Sequence, residues 1–148
     1  MSNGKRILII DDDLITLGSI IHYLRKDGFI VETIESPVES QVMMKNFHYD
    51  CIIVDYSMPE MNGIDLVKWI RNNDNNKIAD TPILLLTGWE EMEIVRTAYF
   101  AGINLFRTKM GLLSNPKDAT ISVESAIKLN PVHKLHNKLA VAFKKETE

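Results

Sequence analysis

Five short apolar runs recur along the chain, at 7–10, 29–34, 51–54, 83–86 and 103–106, and several contain no polar alternation at all. A strand with one wet face alternates apolar and polar side chains, so a run that is apolar throughout suits a strand covered on both faces. The segments between these runs carry a helical period instead. Leu14, Leu17, Ile20, Ile21 and Leu24 recur at three- and four-residue spacing, with Gly28 as a stop. Ser36-Pro37-Val38-Glu39 reads as a helix start: a hydroxyl cap, proline in the first turn and a glutamate three residues on. Val42, Met43 and Phe47 are the expected inner stripe of that helix, Ile64, Val67 and Ile70 mark a third helix, and Met92, Val95, Ala98 and Tyr99 mark a fourth. Strands alternating with helices imply an α/β fold, a doubly wound five-stranded parallel sheet with helices on both faces. In such sheets the functional crevice lies beyond the carboxyl ends of the strands.

The remainder is read more coarsely. The polar stretch 72–77 is expected to be a surface loop, and Asn115-Pro116 to open a fifth helix running to about Leu129, before Pro131 breaks it. Beyond it, Val132, Leu135, Leu139, Ala142 and Phe143 fall on one stripe of an extra C-terminal helix, which packs on its own domain or on a twin subunit as a homodimer. The expected division is one domain over 1–130 and a C-terminal helical extension over 131–148. With one cysteine, Cys51, inside an apolar run, a disulfide framework within one chain is excluded and a buried core thiol is expected. A formal charge of −3 gives no reason to expect a nucleic-acid or anionic-membrane surface. No run approaches the ~20 apolar residues of a membrane span, and a cytoplasmic location is expected. His22, His48, His133 and His136 need no role beyond surface or helix positions.

The chemistry-bearing residues follow the strands, as the crevice rule demands. Asp11, Asp12 and Asp13 come after the first run; Asp55 after the third, leading into Tyr56-Ser57-Met58-Pro59-Glu60-Met61-Asn62-Gly63; Thr87 and Gly88 after the fourth; Thr108 and Lys109 after the fifth. Crowded carboxylates repel one another unless a cation lies between them. Hard oxygen donors suit Mg²⁺. Such an ion beside a lysine stabilises the charge of a transferring phosphoryl group, and a carboxylate can itself be the nucleophile. Asp55, from a central strand, is the best placed acceptor; the run at 11–13 fits a metal cradle; Thr87 and Lys109 can pair with phosphoryl oxygens.

These residues resemble the receiver domain of two-component response regulators, the flavodoxin/CheY-like fold. The resemblance spans about residues 5–130. It rests on four ordered motifs: Ile-Leu-Ile-Ile-Asp-Asp-Asp at 7–13, Val-Asp-Tyr-Ser-Met-Pro-Glu-Met-Asn-Gly at 54–63, Leu-Leu-Leu-Thr-Gly at 84–88, and Ala-Gly followed after six residues by Lys at 101–109. It implies that Asp55 is phosphorylated by a sensor histidine kinase or phosphotransfer protein, and that Asp11, Asp12, Asp55 and the Ser57 backbone carbonyl hold Mg²⁺, with Asp12 the more direct ligand. It further implies that Thr87 and Lys109 read the phosphoryl group and that Phe106 is the aromatic that rotates to report it to a downstream protein partner. The resemblance implies no enzyme beyond self-phosphorylation and autodephosphorylation. Ser57 and Trp89 occupy positions flanking the route of an attacking water, and a bulky Trp89 is expected to prolong the phosphoryl lifetime. One departure from the family stands out: Met110, not proline, follows Lys109, so the loop there is expected to differ. The 39 residues after Lys109 exceed one helix and fall short of a DNA-binding effector domain, so output through protein contacts is expected.

Two other readings compete. A haloacid-dehalogenase-type phosphatase needs threonine four residues past its first aspartate, and here position 15 is Ile15 while the threonine is Thr16. A degenerate receiver that binds partners without phosphorylation is opposed by the full acidic set and kept open by Met110.

Overall fold

Unalternating strands need a helix layer on each side, and the chain supplies both. The computed structural model describes residues 4–88 and 91–129. Strands β1 (Arg6–Ile10), β2 (Ile30–Ile34), β3 (Cys51–Asp55), β4 (Ile83–Thr87) and β5 (Leu105–Thr108) form one parallel sheet in the order β2-β1-β3-β4-β5. Helices α1 (Gly18–Lys26), α2 (Pro37–Asn46), α3 (Gly63–Arg71), α4 (Asn76–Ala79), α5 (Met92–Ala101), α6 (Lys109–Ser114) and α7 (Asp118–Lys128) connect and flank them. From β1 the chain first steps outward to β2 and then returns past β1 to β3. That reversal opens a crevice at the carboxyl ends of β1 and β3.

The pleat sends successive side chains of each strand into different cores. Leu8, Ile10, Ile52, Val54, Ile83 and Leu85 pack with Met44 of α2, Leu66, Val67 and Ile70 of α3 and Ala98 of α5. Ile7, Ile9, Cys51, Ile53, Leu84 and Leu86 pack on the other face with Ile20 and Leu24 of α1, Leu112 of α6 and Ala119, Val123 and Ala126 of α7. Two-sided burial is therefore the physical reason for the unbroken apolar runs. Cys51 is fully buried, and burial pushes its thiol up to about 12.

Several local expectations hold. Ser36 Oγ accepts the Glu39 N–H at 3.2 Å with Pro37 in the first turn of α2, and Ile64, Val67 and Ile70 are buried on α3. Others are corrected. Val42 on α2 and Phe47 just past its end are exposed, and the helix turns Pro37, Ser40 and Met44 inward, with Met43 packed at the core's edge. On α5, Val95 and Ala98 are buried whereas Met92 is exposed. The polar stretch at 72–77 already enters α4, because Asn75 Oδ1 caps it by accepting the Lys77 N–H and Ile78 is buried. The fifth apolar run is displaced by two residues: β5 begins at Leu105, since Ile103 drops into the core before the strand and Asn104 is spent on side-chain hydrogen bonds. The fifth expected helix is α7, and a further short helix, α6, precedes it. The stripe from Val132 to Phe143, and with it the C-terminal extension, lies outside the described residues.

No helix among the described residues is long and apolar enough to cross a membrane.

Candidate functional site

The carboxyl ends of β1, β3, β4 and β5 each deliver one or two side chains to the same edge of the sheet. Asp11 follows β1 immediately and is fully buried, Asp55 is the last residue of β3 and is 3% exposed, and Thr87 is the last residue of β4 and is 1% exposed. Lys109 begins α6 directly after β5 and reaches back, its Nζ lying 2.9 Å from Asp11 Oδ2 and 3.2 Å from Asp55 Oδ1. Asp12 is exposed at the rim, and carboxylate oxygens of Asp11, Asp12 and Asp55 all lie within 4.8 Å of one another. Segments far apart in the chain thus share one acidic cluster around one ammonium group.

Local structure holds each member. Asp11 Oδ1 accepts the Asp13 N–H at 2.8 Å, which folds the chain over the end of β1. Asp13 itself is exposed and is used otherwise: it accepts from the hydroxyl and the backbone N–H of Thr16, fixing the turn that leads into α1. Beyond Asp55, the Tyr56 N–H donates to Leu86 O at 2.8 Å and continues the β3–β4 ladder, while the Gly63 N–H returns to Tyr56 O at 2.8 Å. Gly63 is required by that return, because a Cβ there would stand 2.5 Å from the Asp55 carbonyl oxygen and 3.0 Å from Tyr56 Cα. Asn62 Oδ1 then caps α3 by accepting the Asp65 N–H at 2.9 Å.

The electrostatics are those of a site short of positive charge. Burial, and then the neighbouring Asp11 charge, push Asp55 up to about 6, against the pull of Lys109 and of a hydrogen bond from the Ser57 backbone. Burial also raises Asp11, although Lys109 opposes it. For Lys109, burial alone would lower the pKa, but its contacts with Asp11 and Asp55 together outweigh it and the net direction is upward. Three carboxylates face one ammonium, which leaves a deficit of two positive charges at full ionisation. Among the described residues two buried side-chain oxygens lack a hydrogen-bond partner, Asp11 Oδ2 and Thr87 Oγ1. Asp11 Oδ2 has the Lys109 ammonium at 2.9 Å as a charge partner; that contact is short but poorly aligned as a hydrogen bond. Thr87 Oγ1 has nothing comparable, and an unpaired buried hydroxyl at a crevice calls for an explanation.

An all-oxygen donor set with a charge deficit of two fits a divalent hard cation such as Mg²⁺ far better than a soft metal. Asp11, Asp12 and Asp55 stand together as expected, and Ser57 follows two residues beyond Asp55 at the same strand end. Phe106 lies on β5, partly buried, with its ring edge-to-face against Tyr99 at 6.2 Å, beside an open cleft of about 230 Å³ bordered by Arg107, Thr108 and Gly111. Trp89 lies outside the described residues. Gly63 stood in the sequence inside the 54–63 motif without an assigned role; a glycine seven residues before the end of a helical stripe carries no hint of the strand it must touch.

Comparison with known proteins gives the same architecture a family. Residues 7–114 match the response regulator receiver domain. The chain is 32% identical over 111 residues to chemotaxis protein CheY-3 of Vibrio cholerae, covering 74% of this chain and 83% of that protein. It is 33% identical over 104 residues to the cell cycle transcriptional regulator CtrA of Caulobacter vibrioides, covering 70% of this chain but only 43% of that one, so it spans less than half of that relative's length. Among solved structures, the chemotaxis response regulator CheY4 of Vibrio cholerae superposes with a TM-score of 0.74 at 26% identity, over 83% of this chain and 98% of that chain. A putative response regulator from Chloroflexus aurantiacus superposes at 0.75 and 25% identity, over 84% and 98%. The crevice between β1 and β3, the acidic cluster within it and a match running across all five strands lead to one conclusion: the chain belongs to the response regulator receiver domains of two-component signalling.

Proposed function

We propose that this chain is a phosphoryl-accepting switch whose acceptor is Asp55 and whose chemistry requires Mg²⁺. The observation that carries the reading is the pairing of a charge deficit of two with one inward-reaching lysine, Lys109, on both buried carboxylates. Asp11, Asp12, Asp55 and the backbone carbonyl of Ser57 are the residues that would hold the ion. When bound, Mg²⁺ would supply Lewis-acid neutralisation of the phosphoryl oxygens and offset the Asp11 repulsion that, after burial, raises the Asp55 carboxyl. A carboxylate oxygen of Asp55 attacks phosphorus, the P–N bond of a phosphohistidine donor breaks, and the imidazole leaves with the bonding pair and a proton from solvent. Lys109 screens the charge that collects on the transferring group. Thr87 Oγ1, buried and unpartnered, donates to a phosphoryl oxygen afterwards.

The donor is a sensor histidine kinase or phosphotransfer protein in the cytoplasm. The receiver spans 1–130, and 131–148 form an extension to it. The signal leaves through a downstream protein partner at the α5–β5 side, where Phe106 packs on Tyr99 and the exposed Met92 and Phe100 border an apolar cleft of about 310 Å³. Output follows from a shift between two conformations that the new hydrogen bonds of Thr87 and Lys109 bias. Incubation of the full chain with acetyl phosphate, with and without Mg²⁺, followed by intact mass, tests the core of this. A gain of one phosphoryl group in wild type with Mg²⁺, lost on chelation and in Asp55→Asn, is expected. Equal gain without the metal would remove Mg²⁺ from the account.

A further inference from the structure

Lys109 has a long, rotamer-rich side chain, and holding its ammonium between two carboxylates requires that its backbone be fixed first. The proline that resembling chains place next is absent, Met110 is exposed and anchors nothing in the core, and no peptide among the described residues is cis. We infer that Thr108 is a positioning residue for Lys109, acting as a helix cap that works only in combination with Gly111.

The geometry is specific. β5 ends at Thr108 and α6 begins at Lys109, so strand and helix share no linking residue. Thr108 keeps extended backbone angles, φ −76° and ψ 142°, while its Oγ1 accepts the Gly111 N–H at 3.1 Å. This bond ties the residue before Lys109 to the residue two beyond it. The lysine's Cα direction is thereby held between a strand paired to β4, where Thr108 stands opposite Thr87, and the first turn of a helix. The far end of that helix is anchored by fully buried Leu112 and by the Ser114 hydroxyl, which donates to Met110 O at 2.8 Å. Gly111 is the matched half of the device. A Cβ at that position would lie 2.7 Å from Thr108 Oγ1, so any larger residue displaces the hydroxyl that must accept its N–H. Release of the cap lets the strand-to-helix junction turn, and a small rotation at Lys109 Cα moves Nζ, at the end of four methylenes, out of reach of Asp11 and Asp55.

The functional consequence rests on the phosphoryl-acceptor reading; the positioning itself does not, and the experiment separates them. The full chain is prepared as wild type, Thr108→Val, Thr108→Ser and Gly111→Ala. Amide exchange at position 111, the rate of labelling by acetyl phosphate at saturating Mg²⁺, and the affinity for Mg²⁺ alone are measured for each. Thr108→Val is expected to speed exchange at Gly111 and slow labelling by about fivefold, the size of one lost cap, with Mg²⁺ affinity not reduced, because the three aspartates are untouched and only a competing ammonium moves away. Gly111→Ala is expected to slow labelling similarly, and Thr108→Ser to restore both readouts. Wild-type exchange at Gly111 in Thr108→Val overturns the cap. Wild-type labelling in a variant whose Gly111 exchange has risen overturns its role in positioning Lys109, and a parallel loss of Mg²⁺ affinity overturns it in favour of general damage. If wild type itself takes no phosphate, the acceptor reading fails while Gly111 exchange still decides the cap.

Discussion

Asp55 sits in opposed fields, with burial and Asp11 pushing its carboxyl up to about 6 while Lys109 and the Ser57 backbone pull it down. Its folded value therefore lies above the ordinary carboxylate value of 3.8. Protonated Asp55 suits the fold, and the stability this contributes is present below about pH 4 and lost as pH rises through about 6. Asp55→Asn removes that penalty. In chelated buffer the variant is expected to match wild type near pH 4 and to exceed it above pH 6 by on the order of 1–3 kcal/mol, read from urea unfolding at each pH. A wild type more stable than the variant at pH 7 would mean that Lys109 outweighs burial at this position. Asp11, Asp12, Asp55, Thr87 and Lys109 were legible in the sequence because each follows an apolar run, and strand ends of a parallel sheet share one edge. The contributions of Gly63, Thr108 and Gly111 were not, since they consist of single interatomic approaches between segments that no local pattern brings together.

Among the elements, α2 shows how a stripe misleads. Met43 and Phe47 are apolar and spaced four apart, yet α2 ends at Asn46, lies along the edge strand β2 and buries a different face, Pro37, Ser40 and Met44, where Ser40 Oγ donates to Pro37 O. α6 leaves no mark in the sequence, because six residues with Gly111 among them show no period. The helix ends at the opposite edge of the sheet depend on Arg71, which closes α3. Its guanidinium donates to Gly102 O at 2.8 Å, to Ala79 O and Thr81 O at 2.7 Å each, and to Asn104 Oδ1 at 2.8 Å. Asn104 in turn accepts from the Ile83 N–H and donates to Ala126 O and Leu129 O. One side chain thus joins α3, α4, the start of β4 and, through Asn104, the end of α7. Burial lowers the Arg71 pKa to about 10, still far above neutrality, so the charge persists. Arg71→Ala leaves several carbonyls without a donor and is expected to cost about 3 kcal/mol in urea unfolding, with Mg²⁺ affinity unchanged because the acidic cluster lies at the other edge. A parallel loss of Mg²⁺ affinity would show that the two edges are coupled. Nothing in the sequence announces this network, because its partners lie 8 to 33 residues away.

For the whole molecule, a single topological fact organises everything else: reversal of strand order between β1 and β3 forces Asp11 and Asp55 side by side in a crevice sealed on both faces by apolar cores. This level was the most legible, since unalternating strands admit few arrangements other than a doubly wound parallel sheet. On the proposed reading the same arrangement offers two carboxylates to an incoming phosphoryl group, and Asp55 is the one that takes it. Borohydride reduces an aspartyl phosphate to homoserine at the residue that carried it. Full-length chain labelled with acetyl phosphate and Mg²⁺, reduced and then mapped by peptide mass spectrometry, is predicted to contain homoserine at position 55; homoserine at position 11, or none at either, would contradict it.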